Sequence, residues 1–170
     1  MSRAFTKEEA PGGPVLIPPR APLPAGATNY VTPNGLDLLN AERADLEAER
    51  TGLDDLADED ERTRALAEIN GRLADLNARI ASARVVRHDP VPDEVRFGAT
   101  VTLATGDGEK RRFTIVGVDE ATTAPDRVAF LAPIARAVIG RKVGDTISLR
   151  TPRGEETLTV TAVRYTPEDG

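Results

Sequence analysis

The chain's 170 residues suffice for one ordinary domain, or for a small domain with an extended element. With four Phe, two Tyr and no Trp, its 39% hydrophobic content must build an aliphatic core. Twenty-eight acids against 22 bases (net charge −6) argue against independent binding to a nucleic-acid backbone, and the absence of Cys excludes disulfides, thiol nucleophiles and thiolate metal sites. A single His, His88, excludes multi-histidine metal clusters and speaks against a Ser-His-Asp triad. No apolar run approaches the ~20 residues of a membrane span, and the N-terminus lacks the apolar region of a signal peptide. The expectation is a cytoplasmic protein, away from membranes, whose chemistry rests on carboxylates.

Residues 1–28 hold six of the 13 prolines, together with Gly12, Gly13 and Gly26. Proline fixes φ and removes backbone donors, so this stretch reads as a disordered Pro/Gly-rich arm. Such an arm buries little apolar surface, and removing residues 1–25 is expected to leave the fold nearly unchanged.

Residues 29–87 carry a different pattern. Thr32 suits a helix N-cap and Pro33 the first helical position. Apolar residues follow at Leu36, Leu39, Leu46 and Leu53, with Arg43 and Arg50 in the intervening seam positions. A second run reads Leu66, Ile69, Leu73, Leu76, Ile80 and Ala83, in steps of three and four. Each helix has one apolar stripe to bury, so the two must fold back as an antiparallel coiled-coil hairpin. Nine Leu or Ile seam residues do little more than offset the backbone entropy of the helices. The base of the hairpin is therefore expected to dock on something.

Beyond Pro90 and Pro92 the period changes to two. Strands are expected over 95–103, 111–118, 127–131, 146–150 and 157–165, with turns at Gly106-Asp107-Gly108 and Pro152-Arg153-Gly154. Pro133 to Ile139 reads as one short helix stopped by Gly140. The fold class expected is α+β: a helical hairpin, then a small β-rich domain over residues 91–166 with one short helix.

The residues that carry a resemblance lie mainly in the last part of the chain: Phe97-Gly98-Ala99-Thr100-Val101, Ile115-Val116-Gly117-Val118-Asp119-Glu120, Pro133-Ile134-Ala135-Arg136-Ala137, Val143-Gly144-Asp145 and Thr151-Pro152-Arg153-Gly154. With the opening Tyr30-Val31-Thr32-Pro33-Asn34-Gly35-Leu36, they resemble the bacterial Gre transcript-cleavage factors from Tyr30 to Tyr165. The resemblance implies an FKBP-like β-rich domain that docks at the secondary channel of RNA polymerase. It also implies a hairpin whose acidic tip reaches toward the active centre, where it helps to hold a second Mg²⁺. Docking would fall to Leu131, Ala132, Pro133, Ile134 and Arg136.

At the tip the sequence reads Asp54-Asp55-Leu56-Ala57-Asp58-Glu59-Asp60-Glu61, six acids in eight residues. Asp58 and Glu61 keep an Asp-x-x-Glu spacing, but the family's Asn-Ala-Glu-Tyr continuation is replaced by Arg62-Thr63-Arg64-Ala65. The hairpin is also about one heptad shorter per arm, which at 1.5 Å per residue places the tip about 10 Å short. Mg²⁺ ligation tolerates tenths of an ångström. Asp58 and Glu61 also fit a capping box. Asp54 and Asp55, near the unfavourable end of the first helix dipole, do not share that explanation.

The docking turn has Leu131-Ala132 where many relatives carry Asp-Ser, and the bland reading of Pro133 to Ile139 is a packed helix. Lys110-Arg111-Arg112 reads as a solvated strand opening and His88 as a solvated hinge residue. Prolyl isomerase chemistry needs an aromatic pocket, and Phe97, Phe113 and Phe130 are expected to be consumed by the core.

The expected function is a Gre-like factor that binds RNA polymerase and modulates elongation. It would act as a monomer, meet nucleic acid only within the transcription complex, and hold no cofactor of its own beyond an Mg²⁺ shared with the polymerase. It is not expected to be an enzyme in its own right. The alternatives are a true transcript-cleavage factor, or a coiled-coil adaptor related to regulators of nucleoside diphosphate kinase. Those regulators have a much shorter hairpin.

Overall fold

The structure, a computed structural model, describes residues 15–87 and 93–166. His88 and the expected boundary at Pro90 lie outside the described residues, as do residues 1–14 of the arm.

A short strand β1 (Asn29–Val31) leads into helix α1 (Pro33–Gly52), which begins as its residues dictate. The Gly35 N–H donates to Thr32 Oγ1 at 2.8 Å, and Pro33 occupies the first turn, where no backbone donor is needed. A 3₁₀ turn over Leu53–Asp55 follows, and α2 (Glu59–Ser82) folds back along α1. Leu39 and Leu46 meet Ile69, Leu73 and Leu76 in a core that also takes in Val31. Strand β2 (Ala83–Val85) then pairs in parallel with β1, closing the base of the helix pair. The Asn29 side chain donates to the carbonyl of Arg79 and to Ser82 Oγ, satisfying an orphan acceptor at the end of α2.

The second core belongs to a five-stranded sheet. Strands β3 (Thr100–Thr105), β4 (Lys110–Val116), β5 (Arg127–Ala129), β6 (Thr146–Thr151) and β7 (Gly154–Arg164) lie in the order β5-β4-β3-β7-β6. Helix α3 (Pro133–Val138) packs Ala135 and Val138 against Val101, Leu103, Ile115, Leu158 and Val160. It stops where Gly140, at φ 87°, turns the chain. The molecule is therefore mixed helix and sheet, in the expected order.

Two details differ from the sequence reading, and a third, the direction of β5, lies outside it. The strand expected from Val95 begins only at Thr100, because Gly98 sits at φ 87° and the Ala99 N–H closes a turn onto the carbonyl of Arg96. Val95 is still fully buried, and its backbone pairs with residues 140 and 141 beside an isolated antiparallel bridge between Glu94 and Lys142, so its alternation with Phe97 reported burial and a bridge outside the five-stranded sheet. β5 joins β4 in parallel, an orientation that local pattern does not encode. Phe113 lies in the core, but Phe97 and Phe130 are half-buried and stack around Tyr30 of β1, with ring centroids 6.2 and 5.5 Å from it.

That aromatic contact is part of the dock the hairpin needs. Gly117, just after β4, approaches β1 so closely that a Cβ there would stand 2.5 Å from the Tyr30 carbonyl oxygen. Only glycine permits this approach.

The arm requires a correction. Residues 15–28 form no helix or strand, in keeping with their proline content, yet several are fastened to the body. Ile17 lies over α2 where Gly71 leaves room; a Cβ at Gly71 would come within 2.0 Å of Ile17 Cδ1. Arg20 forms ion pairs with Glu42 and Asp119. Weighing apolar burial alone missed this attachment, because a single guanidinium supplies much of it.

Candidate functional site

The expected site residues fall at two places. The six acids cluster at the far end of the helices. Asp54 and Asp55 lie in the 3₁₀ turn after α1, Asp58 caps α2, and Glu59, Asp60 and Glu61 fill its first turn. All six are exposed. With 1.5 Å of rise per residue, the 20-residue α1 carries this tip about 30 Å from the base.

Within the tip the acids are not equivalent. Asp58 Oδ1 accepts the Glu61 N–H at 3.0 Å, the N-cap bond that the capping reading requires. Arg62 braces the turn by donating to the carbonyl of Leu56 at 2.9 Å. Glu59, Asp60 and Glu61 sit at the positive end of the α2 dipole, where negative charge is favoured. Asp54 and Asp55 are placed by neither effect. Among the described residues, no group of three or more His, Asp or Glu side chains is placed to hold a metal ion.

The expected docking residues gather at the start of α3. Leu131, Ala132 and Ile134 are half-buried, while Pro133 and Arg136 are exposed. Ile134 packs against the sheet core, so the bland reading holds for it. Arg136 projects from a helix whose inner face is filled by Ala135 and Val138. Just beyond the helix, Ile139 and Val143 are large apolar residues left 39% and 42% exposed. Sequence reasoning assigned neither to the surface: Ile139 ends the apolar run of the short helix, and Val143 entered only as part of Val143-Gly144-Asp145.

A third cluster, at the base, joins the helix pair to the sheet domain. Glu120 is 5% exposed and lies between the two cores. Its carboxylate accepts from Thr32 Oγ1, from Asn34 Nδ2 at 2.9 Å and from the Arg127 guanidinium. Burial of a carboxylate is tolerable here because donors arrive from both the hairpin and the sheet domain. Its neighbour Asp119 accepts from Arg79 Nη1 of α2 at 2.9 Å and from Arg20 Nη2 of the arm at 3.1 Å. The Arg20 guanidinium forks onto Glu42 of α1 at 2.9 and 3.0 Å. This bidentate hydrogen bond holds the Glu42 carboxyl below its ordinary value of 4.5 and raises the pKa of Arg20. Asp119 and Glu120 stand in the sequence as adjacent acids after a strand. Only the long-range partners, 40 and 99 residues away for Asp119, reveal their role.

Among the described residues, no helix is long and apolar enough to cross a membrane.

Comparison with known proteins bears on both halves. Residues 89–165 match the family described as transcription elongation factor, GreA/GreB, C-term. The chain is 34% identical over 163 residues to transcription elongation factor GreB of Pseudomonas aeruginosa, covering 87% of this chain and 96% of that protein. It is 40% identical over 106 residues to GreB of Neisseria meningitidis serogroup A, covering 60% of this chain and 64% of that protein. The matched region thus spans somewhat under two thirds of the Neisseria relative. A solved GreA/GreB factor from Nitrosomonas europaea superposes with a TM-score of 0.42 at 21% identity, over 80% of this chain and 98% of that one, too distant to add to the sequence matches.

Proposed function

Because the chain belongs to the GreA/GreB family of transcription elongation factors, we propose that it binds RNA polymerase at the secondary channel and modulates elongation. The observation that carries this reading is the placement of six exposed carboxylates at the far end of a helix pair, about 30 Å from a domain with its own core. In this reading the helix pair is a coiled-coil hairpin, the sheet domain is FKBP-like, and the start of α3 is the docking face. Pro133 and Arg136, with the exposed Ile139, Arg141, Lys142 and Val143 that follow, offer three cations and exposed apolar side chains to the polymerase.

The tip works as a charge and not as a ligand pair. Asp58 has an oxygen engaged in capping α2, and that leaves the Asp-x-x-Glu spacing with an architectural explanation. Mg²⁺ prefers carboxylates and water, and any held here would be shared with the polymerase. Of the six exposed acids, Asp58 alone has a carboxylate oxygen engaged in a hydrogen bond; Asp54, Asp55, Glu59, Asp60 and Glu61 all present theirs to the ion. The protein is not itself an enzyme, and its partner is polymerase in the cytoplasm.

Purified protein added to stalled, backtracked elongation complexes tests this reading. Altered resumption of synthesis with RNA of unchanged length is the expected result. Shortened RNA would replace it with transcript cleavage, and no effect on any complex would remove polymerase as the partner.

A further inference from the structure

From the contacts at the base we infer that residues 15–21 are a positioning strap, with Arg20 as the residue that fixes the direction of the helix pair relative to the sheet domain. The joint described above has its contacts near the first turn of α1: Tyr30 among Phe97 and Phe130, Gly117 under β1, and Glu120 beneath Thr32 and Asn34. These contacts, with the single ion pair from Arg79 of α2 to Asp119, gather at the base of the helix pair and define a pivot. They leave the angle of a long lever weakly determined. At a tip about 30 Å away, a rotation of about 10° displaces the acids by about 5 Å.

The arm supplies what the pivot lacks. Arg20 joins Asp119 of the sheet domain to Glu42, which lies ten residues beyond Thr32 on α1. Its neighbour Ala21 receives a hydrogen bond from Arg79 Nη2 at 2.7 Å, while Arg79 Nη1 holds Asp119 from α2. Arg20 thus ties α1 to the sheet domain, while the Ala21 carbonyl fastens the arm to Arg79, which itself holds α2 to Asp119. Arg20, Asp119 and Arg79 side chains are only 19%, 11% and 13% exposed, so these pairs are poorly screened. Planar, bidentate geometry is what lysine could not reproduce. Ile17 over Gly71 continues the strap along α2 toward the tip.

The functional consequence rests on the reading of the tip as an effector of polymerase, but the structural claim can be tested without polymerase. The chain has no Cys, so Thr63→Cys near the tip and Ser148→Cys on β6 give two unique spin-label sites on exposed residues. In the full chain a single narrow distance distribution is expected. Arg20→Ala and removal of residues 1–21 should each shift or broaden it, and Arg20→Lys should fall between. Glu42→Gln, at a half-buried position of α1 outside both cores, should broaden it in the same sense. An unchanged distribution in Arg20→Ala and in the shortened chain overturns the inference. With polymerase, Arg20→Ala should lose the tip-dependent effect while its Kd is unchanged. If the distances change and polymerase does not respond, the strap stands and the functional reading falls.

Discussion

The molecule carries acidic clusters at both ends of its helix pair, and the two have opposite surroundings. At the base, Asp119 and Glu120 are withdrawn from water and met by Arg20, Arg79, Arg127, Thr32 and Asn34. At the tip, six acids face solvent over eight residues. A buried carboxylate persists only where donors offset its desolvation, so the base acids are explained by the contacts they make. For Asp54 and Asp55 no such contact accounts for their presence. In the proposed reading, the like charges clustered at the end of the helix pair away from the sheet domain are the working end, and the paired acids belong to the joint that aims it.

If that contrast is right, substitutions at the base should disturb stability and those at the tip should not. The largest effect is expected for Glu120→Ala, which strands three donors at a nearly buried position. A loss of about 3 kcal/mol, the low end for a broken buried pair because Arg127 is partly exposed, should appear as a lower urea midpoint. Gly117→Ala should cost about 1–3 kcal/mol, since a Cβ facing a backbone carbonyl forces β1 away from β4. At the tip, Asp58→Ala should cost about 1 kcal/mol through the lost N-cap, while Asp54→Ala and Asp55→Ala stay within about 0.5 kcal/mol. A uniform response of the three tip acids would erase the distinction drawn between them.

The smallest effect is a pH dependence. Glu42 has a lowered pKa in the folded protein, so its contribution to stability is fully present above its ordinary value of 4.5 and is lost as pH falls through the lowered folded value. The stability gap between wild type and Glu42→Gln should accordingly close below pH 4.5. A gap that does not narrow as pH falls below 4.5 would mean that packing, not the ion pair with Arg20, fastens the arm.

Much of the fold was legible because local rules and global packing agree. Thr32-Pro33 starts α1, the spacing of Leu39, Leu46, Ile69, Leu73 and Leu76 marks the helical core, and Gly140 ends α3. The strand limits at Val95 and the parallel pairing of β5 were not, because burial and pairing partners are long-range properties. The tip could be located from its composition. The joint could not, since Arg20 in a proline-rich arm and Asp119 after a strand look unrelated until the fold sets them 3.1 Å apart. Ile139, at the end of an apolar helix, likewise gave no local sign that it stands at the surface.

The central claim is that the tip acts through its summed charge, delivered by a rigid base. Its most direct measurement is the activity of stalled, backtracked elongation complexes with wild type and with single, double and fourfold neutralisation of Asp54, Asp55, Asp58 and Glu61. Charge effects decline gradually and weaken with salt, whereas a missing Mg²⁺ ligand is not made up at a distance. Graded loss of the effect across the series, steeper at low salt and without RNA cleavage, is the predicted result. Wild-type protein that cuts the RNA, with cutting abolished by Asp58→Asn or Glu61→Gln alone, would contradict it.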